Sequence, residues 1–131
     1  MTFFALIFLT GCSLFNASKN HNEPKNLIFQ NNNLEQKITV KRDSKLCQDE
    51  TKSNQNCEVY FYIDNFKAGD FYINNKANFY LNPNKYTLKV KNCKTECYSN
   101  ELVINLEKNT VNLNYIISLD EQEKPYIYQV K

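Results

Sequence analysis

The residues with the most chemistry to offer in this 131-residue chain are its five cysteines, Cys12, Cys47, Cys57, Cys93 and Cys97. The last four fall into two pairs, spaced Cys-x9-Cys and Cys-x3-Cys. An even set in a small exported domain reads as two disulfides. A structural zinc site is the rival, but the wider spacing departs from the usual short knuckle, and an oxidising compartment favours disulfides. Neither a metal nor a cofactor is expected. Cys57 opens one strong strand pattern and Cys93 lies just past the end of another. If those strands are antiparallel neighbours, the two cysteines meet at one end of a sheet. A Cys57–Cys93 link closes a long loop, worth about 4 kcal/mol in chain-entropy terms against about 2 kcal/mol for a local Cys93–Cys97 link. Cys57 is therefore expected to pair with Cys93 or Cys97, and Cys47 with the one left.

Acid–base and nucleophilic chemistry find little to work with. The sole histidine, His21, sits in a polar segment that offers no held geometry and no partner. The acidic pairs Asp49-Glu50 and Asp120-Glu121 lie in polar stretches, whereas carboxylate catalysis needs a cleft and a raised pKa. An enzyme is not expected. Formal net charge is +2, with lysines and acids interleaved, as in Lys37, Lys41, Arg42, Asp43 and Lys45 followed by Asp49-Glu50. That reads as a mixed, solvated surface, not the basic face of a nucleic-acid binder. Aromatic residues are the remaining candidates. Tyr60, Tyr62, Tyr72 and Tyr80 fall on or near strand patterns whose alternate positions already supply a core. A tyrosine so placed can stack on a sugar or fill an interface while its hydroxyl stays hydrated. The plainer alternative is cross-strand packing of rings that suit strands in any case.

At the N-terminus, Phe3 to Leu9 form an unbroken apolar run followed at once by Thr10-Gly11-Cys12. The run is too short to span a bilayer, which takes about 20 residues, and matches the core of a secretory signal. Leu9-Thr10-Gly11-Cys12 resembles the bacterial lipobox. The resemblance implies acylation of the Cys12 sulfur, cleavage after Gly11, and a membrane anchor of two or three acyl chains. Met1-Thr2 supplies no basic residue, so the expected positive leader region points to a start further upstream. Ser13 follows Cys12 where some lipoproteins carry a retention Asp, which favours the outer membrane or its periplasmic face. Residues 1–11 are thus expected as a signal peptide and 12–36 as the lipidated cysteine with a polar, Asn-rich tether that contains Pro24.

The elements that must position the candidates are strands. Lys37-Ile38-Thr39-Val40-Lys41 alternates, residues 42–56 read as a loop, and Val59, Phe61 and Ile63 alternate with Glu58, Tyr60 and Tyr62. Asp64-Asn65 is a turn signal. Strands over about 70–73 and 77–81 are expected to form a hairpin around Asn74-Asn75. After Asn82-Pro83-Asn84, with Asn84 suited to a positive φ, come Tyr86, Leu88 and Val90. Leu102, Ile104 and Leu106 follow, then Val111, Leu113, Tyr115 and Ile117 beyond a turn at 107–109, and last 126–130. Only Gly11 and Gly69 are glycines, so Asn is expected to carry the turns. No useful helical period occurs. Residues 37–131 are expected to fold as an all-β domain, a small disulfide-stapled β-sandwich of about seven antiparallel strands.

From Val59 to Val90 the chain resembles PEGA-type domains and related small bacterial lipoproteins. Those families run strand, Asp-Gly, a segment with a second Gly, strand, Pro-Gly, strand. The matching residues here are Ile63-Asp64-Asn65, Gly69, and Leu81-Asn82-Pro83-Asn84, with Asn65 and Asn84 replacing two glycines. Ile38 to Ser44 also resembles the first strand of the lipoprotein relatives. These are turn motifs, so the resemblance implies a fold and carries no catalytic residue. The function expected from all this is a non-enzymatic envelope module for peptidoglycan, a surface glycan or an envelope protein. A periplasmic inhibitor or immunity protein, presenting the loops 42–56 or 92–100 to a toxin or wall hydrolase, is the alternative.

Overall fold

Alternation of apolar and polar residues becomes alternation of inward and outward side chains throughout the computed structural model, which describes residues 29–131 except 32, 35, 111 and 112. Eight strands run through the described residues: β1 (Gln36–Arg42), β2 (Val59–Ile63), β3 (Phe66–Phe71), β4 (Lys76–Leu81), β5 (Asn84–Asn92), β6 (Tyr98–Leu106), β7 (Leu113–Leu119) and β8 (Pro125–Val130). They form two four-stranded sheets, ordered β4-β1-β7-β8 and β3-β2-β5-β6. The arrangement is an all-β, sandwich-like fold with two disulfides.

The core lies between the sheets. Val59, Phe61 and Ile63 of β2 face Ile38 and Val40 of β1, Phe79 of β4 and Ile117 of β7, all essentially without exposure. Burying each such side chain contributes about 1.5–3 kcal/mol. Phe61, Phe71 and Phe79 form a triangle with ring centroids 5.3–6.5 Å apart, in tilted and edge-on geometries. Phe29 meets Phe79 edge-on at 6.3 Å and is itself buried. The packed domain therefore extends upstream of Lys37, where the sequence pattern suggested that order begins.

Three expectations about topology are corrected. The eight strands among the described residues agree with the expected number of about seven, but they are not all antiparallel: β1 pairs with β7 in parallel. The Asn74-Asn75 turn does not close a hairpin. It carries the chain from β3, paired with β2, to β4, paired with β1 in the other sheet. Asn74 takes a φ of 62°, and the turn is tied to the end of β1 by Arg42 N–H donating to the Asn75 carbonyl at 2.9 Å. Local turn chemistry bends the chain but does not choose its partner. Asp64-Asn65, by contrast, does close a β2–β3 hairpin, with φ of 48° and 69° at the two turn residues. Asn84 has no positive φ and simply opens β5.

The disulfides also pair differently from the expectation: Cys47 with Cys57, and Cys93 with Cys97. The premise was sound, since β2 and β5 are antiparallel neighbours. Face parity decides otherwise. Tyr60 stands opposite Lys91, so continuing the ladder sets Glu58 opposite Cys93. Cys57 shares the inward parity of Val59 and is buried, whereas Cys93 shares the outward parity of Lys91. Side chains on opposite faces of a sheet cannot be bridged without moving the backbone.

Candidate functional site

Tyr60 and Tyr62 project from the outward face of β2, because their odd-numbered neighbours fill the core. Across β3, Tyr60 lies opposite Asp70 and Tyr62 opposite Lys67, with a bulge between Phe61 and Tyr62. Across β5 they lie opposite Lys91 and Lys89. Continuing the β2–β3 ladder past Val59↔Phe71 sets Tyr72 opposite Glu58 on the same face. Three of the four candidate tyrosines thus share one surface. Tyr80 does not join them. It lies on β4, opposite Lys37, and faces outward from the other sheet.

Lysines sit over these rings. Lys67 Nζ lies 4.4 Å from the Tyr60 ring centroid, and Lys89 Nζ 4.8 Å from that of Tyr62. Such cation–π contacts contribute about 0.5–1 kcal/mol at exposed sites. Lys67 also pairs with Asp70 at 2.7 Å, and this bond holds its pKa above the ordinary lysine value. The Glu58 carboxylate, which accepts a bond from Tyr60 Oη at 3.2 Å, raises the Tyr60 pKa. Burial, aided by Glu58, raises that of Tyr72. At neutral pH the face therefore offers neutral phenols interleaved with ammonium and carboxylate groups. It suits hydrogen bonding to a polar polymer, with one face of each of two rings already under a lysine.

The acidic pairs lie apart from this surface. Glu50 is buried and accepts the Cys47 and Asn56 backbone N–H groups at 2.8 and 2.7 Å. Asp120 closes the β7–β8 turn by accepting N–H groups of Gln122 and Lys124. One cluster has the atoms of a metal site: donor atoms of Cys47, Glu50 and Cys57 lie within 4.8 Å of one another. In the disulfide form both sulfurs are bonded to each other and both Glu50 oxygens hold backbone, so the donor set is engaged in structure.

Both disulfide loops lie at one end of the sandwich, together with the 72–75 crossover and the β7–β8 turn. Gln48 N–H donates to the Glu123 carboxylate, and the Lys94 ammonium to the Gln48 carbonyl, so the three loops are laced together. The chain enters β1 at the opposite end.

A second aromatic surface was not singled out from the sequence. Tyr126 and Tyr128 on β8 stack at 5.9 Å and are 37% and 44% exposed. Its signal was present, because Tyr126, Tyr128 and Val130 alternate with Pro125 and Ile127, which are buried. Cys12, the apolar run before it and His21 lie outside the described residues. Compared with models of protein families, with curated proteins and with solved structures, the chain matches none.

Proposed function

We propose that this chain is a non-enzymatic lipoprotein of the bacterial cell envelope, anchored by acyl chains on Cys12, whose β-sandwich domain binds a wall polymer or surface glycan. In this reading it belongs with the PEGA-like small lipoproteins and faces the periplasm from the outer membrane. The observation that supports it most is the shared outward placement of Tyr60, Tyr62 and Tyr72 among Lys67, Lys89 and Lys91. Phenol hydroxyls and ammonium groups at strand spacing supply donors and acceptors to a hydroxyl-rich chain, and the rings supply apolar contact.

Two experiments test it. Radiolabelled palmitate should enter the chain in cells and be lost in Cys12→Ser; labelling that survives the substitution removes the anchor. The purified chain, immobilised, should retain glycan from solubilised envelope, with retention sensitive to muramidase and not to protease. Tyr60→Ala with Tyr62→Ala should abolish capture while leaving the fold intact. Retention of a single protein, with glycan absent, overturns the glycan reading.

The laced loop end favours a second reading, an inhibitor of a toxin or wall hydrolase. The Cys47–Cys57 and Cys93–Cys97 loops are held side by side at the end away from β1's entry, as an inserted inhibitory surface requires. Potent inhibition of a wall hydrolase, unaffected by the two tyrosine substitutions, would establish it over the first.

A further inference from the structure

The outward face of the β4-β1-β7-β8 sheet differs in charge from the rest of the surface. None of its four strands contains a carboxylate, while Lys37, Lys41 and Lys76 all point outward and are exposed. Lys41 and Lys76 stand directly opposite each other across the β1–β4 ladder. Like charges so placed repel and destabilise a sheet. None of the three lysines has an ion-pair partner among the described residues, whereas Lys67 on the other sheet pairs with Asp70. The far side of the same face carries Tyr126, Tyr128 and Val130, all well exposed, and Ile116 of β7 lies between Lys41 and Tyr128 in the cross-strand row.

Lysines without an ion pair on one side and an apolar, aromatic ridge on the other are the two things a bilayer interface recognises. Anionic headgroups attract the lysines, and tyrosines settle at the headgroup level. The chain upstream of the domain leaves from this sheet as well. Gln30 Nε2 donates to the Asn78 carbonyl of β4 at 2.9 Å, and Phe29 packs on Phe79. Sixteen residues separate Phe29 from Cys12, a reach of at most about 58 Å when extended, so an anchor at Cys12 holds the domain within reach of a membrane and leaves the choice of face to its surface chemistry.

We infer that the Lys37, Lys41, Lys76, Tyr126 and Tyr128 face lies on an anionic lipid surface, leaving the Tyr60–Tyr62 face turned away from it. The lipoprotein reading supplies only the location; docking itself needs no acyl chain. The test uses the full chain with Cys12→Ser and vesicles of phosphatidylcholine with or without phosphatidylglycerol. The chain should sediment with the anionic vesicles, less so as salt rises, and not with the neutral ones. Each lysine removed should weaken binding about fivefold, so Lys41→Gln with Lys76→Gln should lower it more than tenfold. Lys52→Gln with Lys85→Gln, both exposed and neither on this face, should leave it unchanged. The chain has no tryptophan, so Tyr128→Trp provides a single depth probe. Its emission should shift to the blue on anionic vesicles and be quenched by brominated lipid, whereas that of Val103→Trp on β6 should not. Absence of vesicle binding, equal loss from both lysine pairs, or binding to soluble poly(glycerol phosphate) in place of vesicles overturns the inference. None of those results touches Cys12 acylation or glycan capture.

Discussion

The two disulfides sit at the same end of the molecule yet belong to different physical regimes. Around Cys47–Cys57 the cross-link and the side chains that hold it are buried. Both cysteines are buried, and Arg42 reaches the carbonyls of Cys57 and Phe71 at 2.8 and 2.9 Å and that of Lys45 at 3.3 Å. Glu50 holds the loop's backbone, and Asn92 Nδ2 reaches Cys57 Sγ at 3.2 Å and the Glu58 carbonyl at 2.9 Å. Cys93–Cys97 instead clamps a turn between β5 and β6, with Cys97 exposed. The first is a piece of core built from polar parts, and the second a surface clasp. The difference shows how a small domain stabilises a 16-residue excursion between β1 and β2: it replaces missing strand pairing with a cross-link, a buried guanidinium and a buried carboxylate.

Arg42 is where that contrast breaks most easily. It is fully buried, its Nε has no partner, and burial lowers its pKa against the raising pull of Glu50, Asp43 and Glu58. Arg42→Met should take this donor from three carbonyls and cost about 3–5 kcal/mol, read as a fall in the urea midpoint. Removing the buried cross-link with Cys47→Ala and Cys57→Ala should cost about 3 kcal/mol from loop entropy, with a further loss from the cavity. Cys93→Ser with Cys97→Ser should cost less, at most about 2 kcal/mol by the same reasoning. If the two double variants prove equally destabilising, burial is not what separates the loops. The same comparison can be sharpened chemically. Under a rising reductant concentration, alkylation and mass spectrometry should find Cys93 and Cys97 labelled before Cys47 and Cys57. The smallest effect concerns pH and lies in the core away from both loops. Burial raises the Tyr115 pKa above the ordinary phenol value, so the folded state keeps a proton that the unfolded chain releases near pH 10. Tyr115's contribution to stability should therefore be level below pH 10 and fall above it, and Tyr115→Phe should shallow the alkaline fall in urea midpoints.

Much of the strand content was legible because a sheet with one buried face writes its period into the residues. β1, β2 and β5 read directly as Ile38/Val40, Val59/Phe61/Ile63 and Leu88/Val90. The Asp64-Asn65 turn was legible too, since Asn tolerates the left-handed backbone that the missing glycine would have supplied, but the strand after it begins at Phe66 and not near Asp70. Arg42 looked like one more surface charge. Its position at the end of an alternating run put it on the inward parity of Ile38 and Val40, but a charge at such a position is buried only if tertiary neighbours offer carbonyls. The candidate site was half legible. Alternation assigned Tyr60 and Tyr62 to an outward face, but it could not say that Tyr72 joins them and Tyr80 does not.

Period-two patterning and turn chemistry by themselves determined that this is an all-β domain, where most strands begin and end, and which side of each strand is apolar. Strand neighbours were left to the tertiary structure. A strand's pattern describes its two faces, whereas pairing acts along its two edges, where every residue presents the same backbone N–H and C=O. Only the assembled sheets could place β7 beside β1 in parallel, separate β3 from β4, and set Lys41 against Lys76. They also put Cys57 and Cys93 on opposite faces, because in a ladder of period two a shift of one residue changes the side on which a side chain lies.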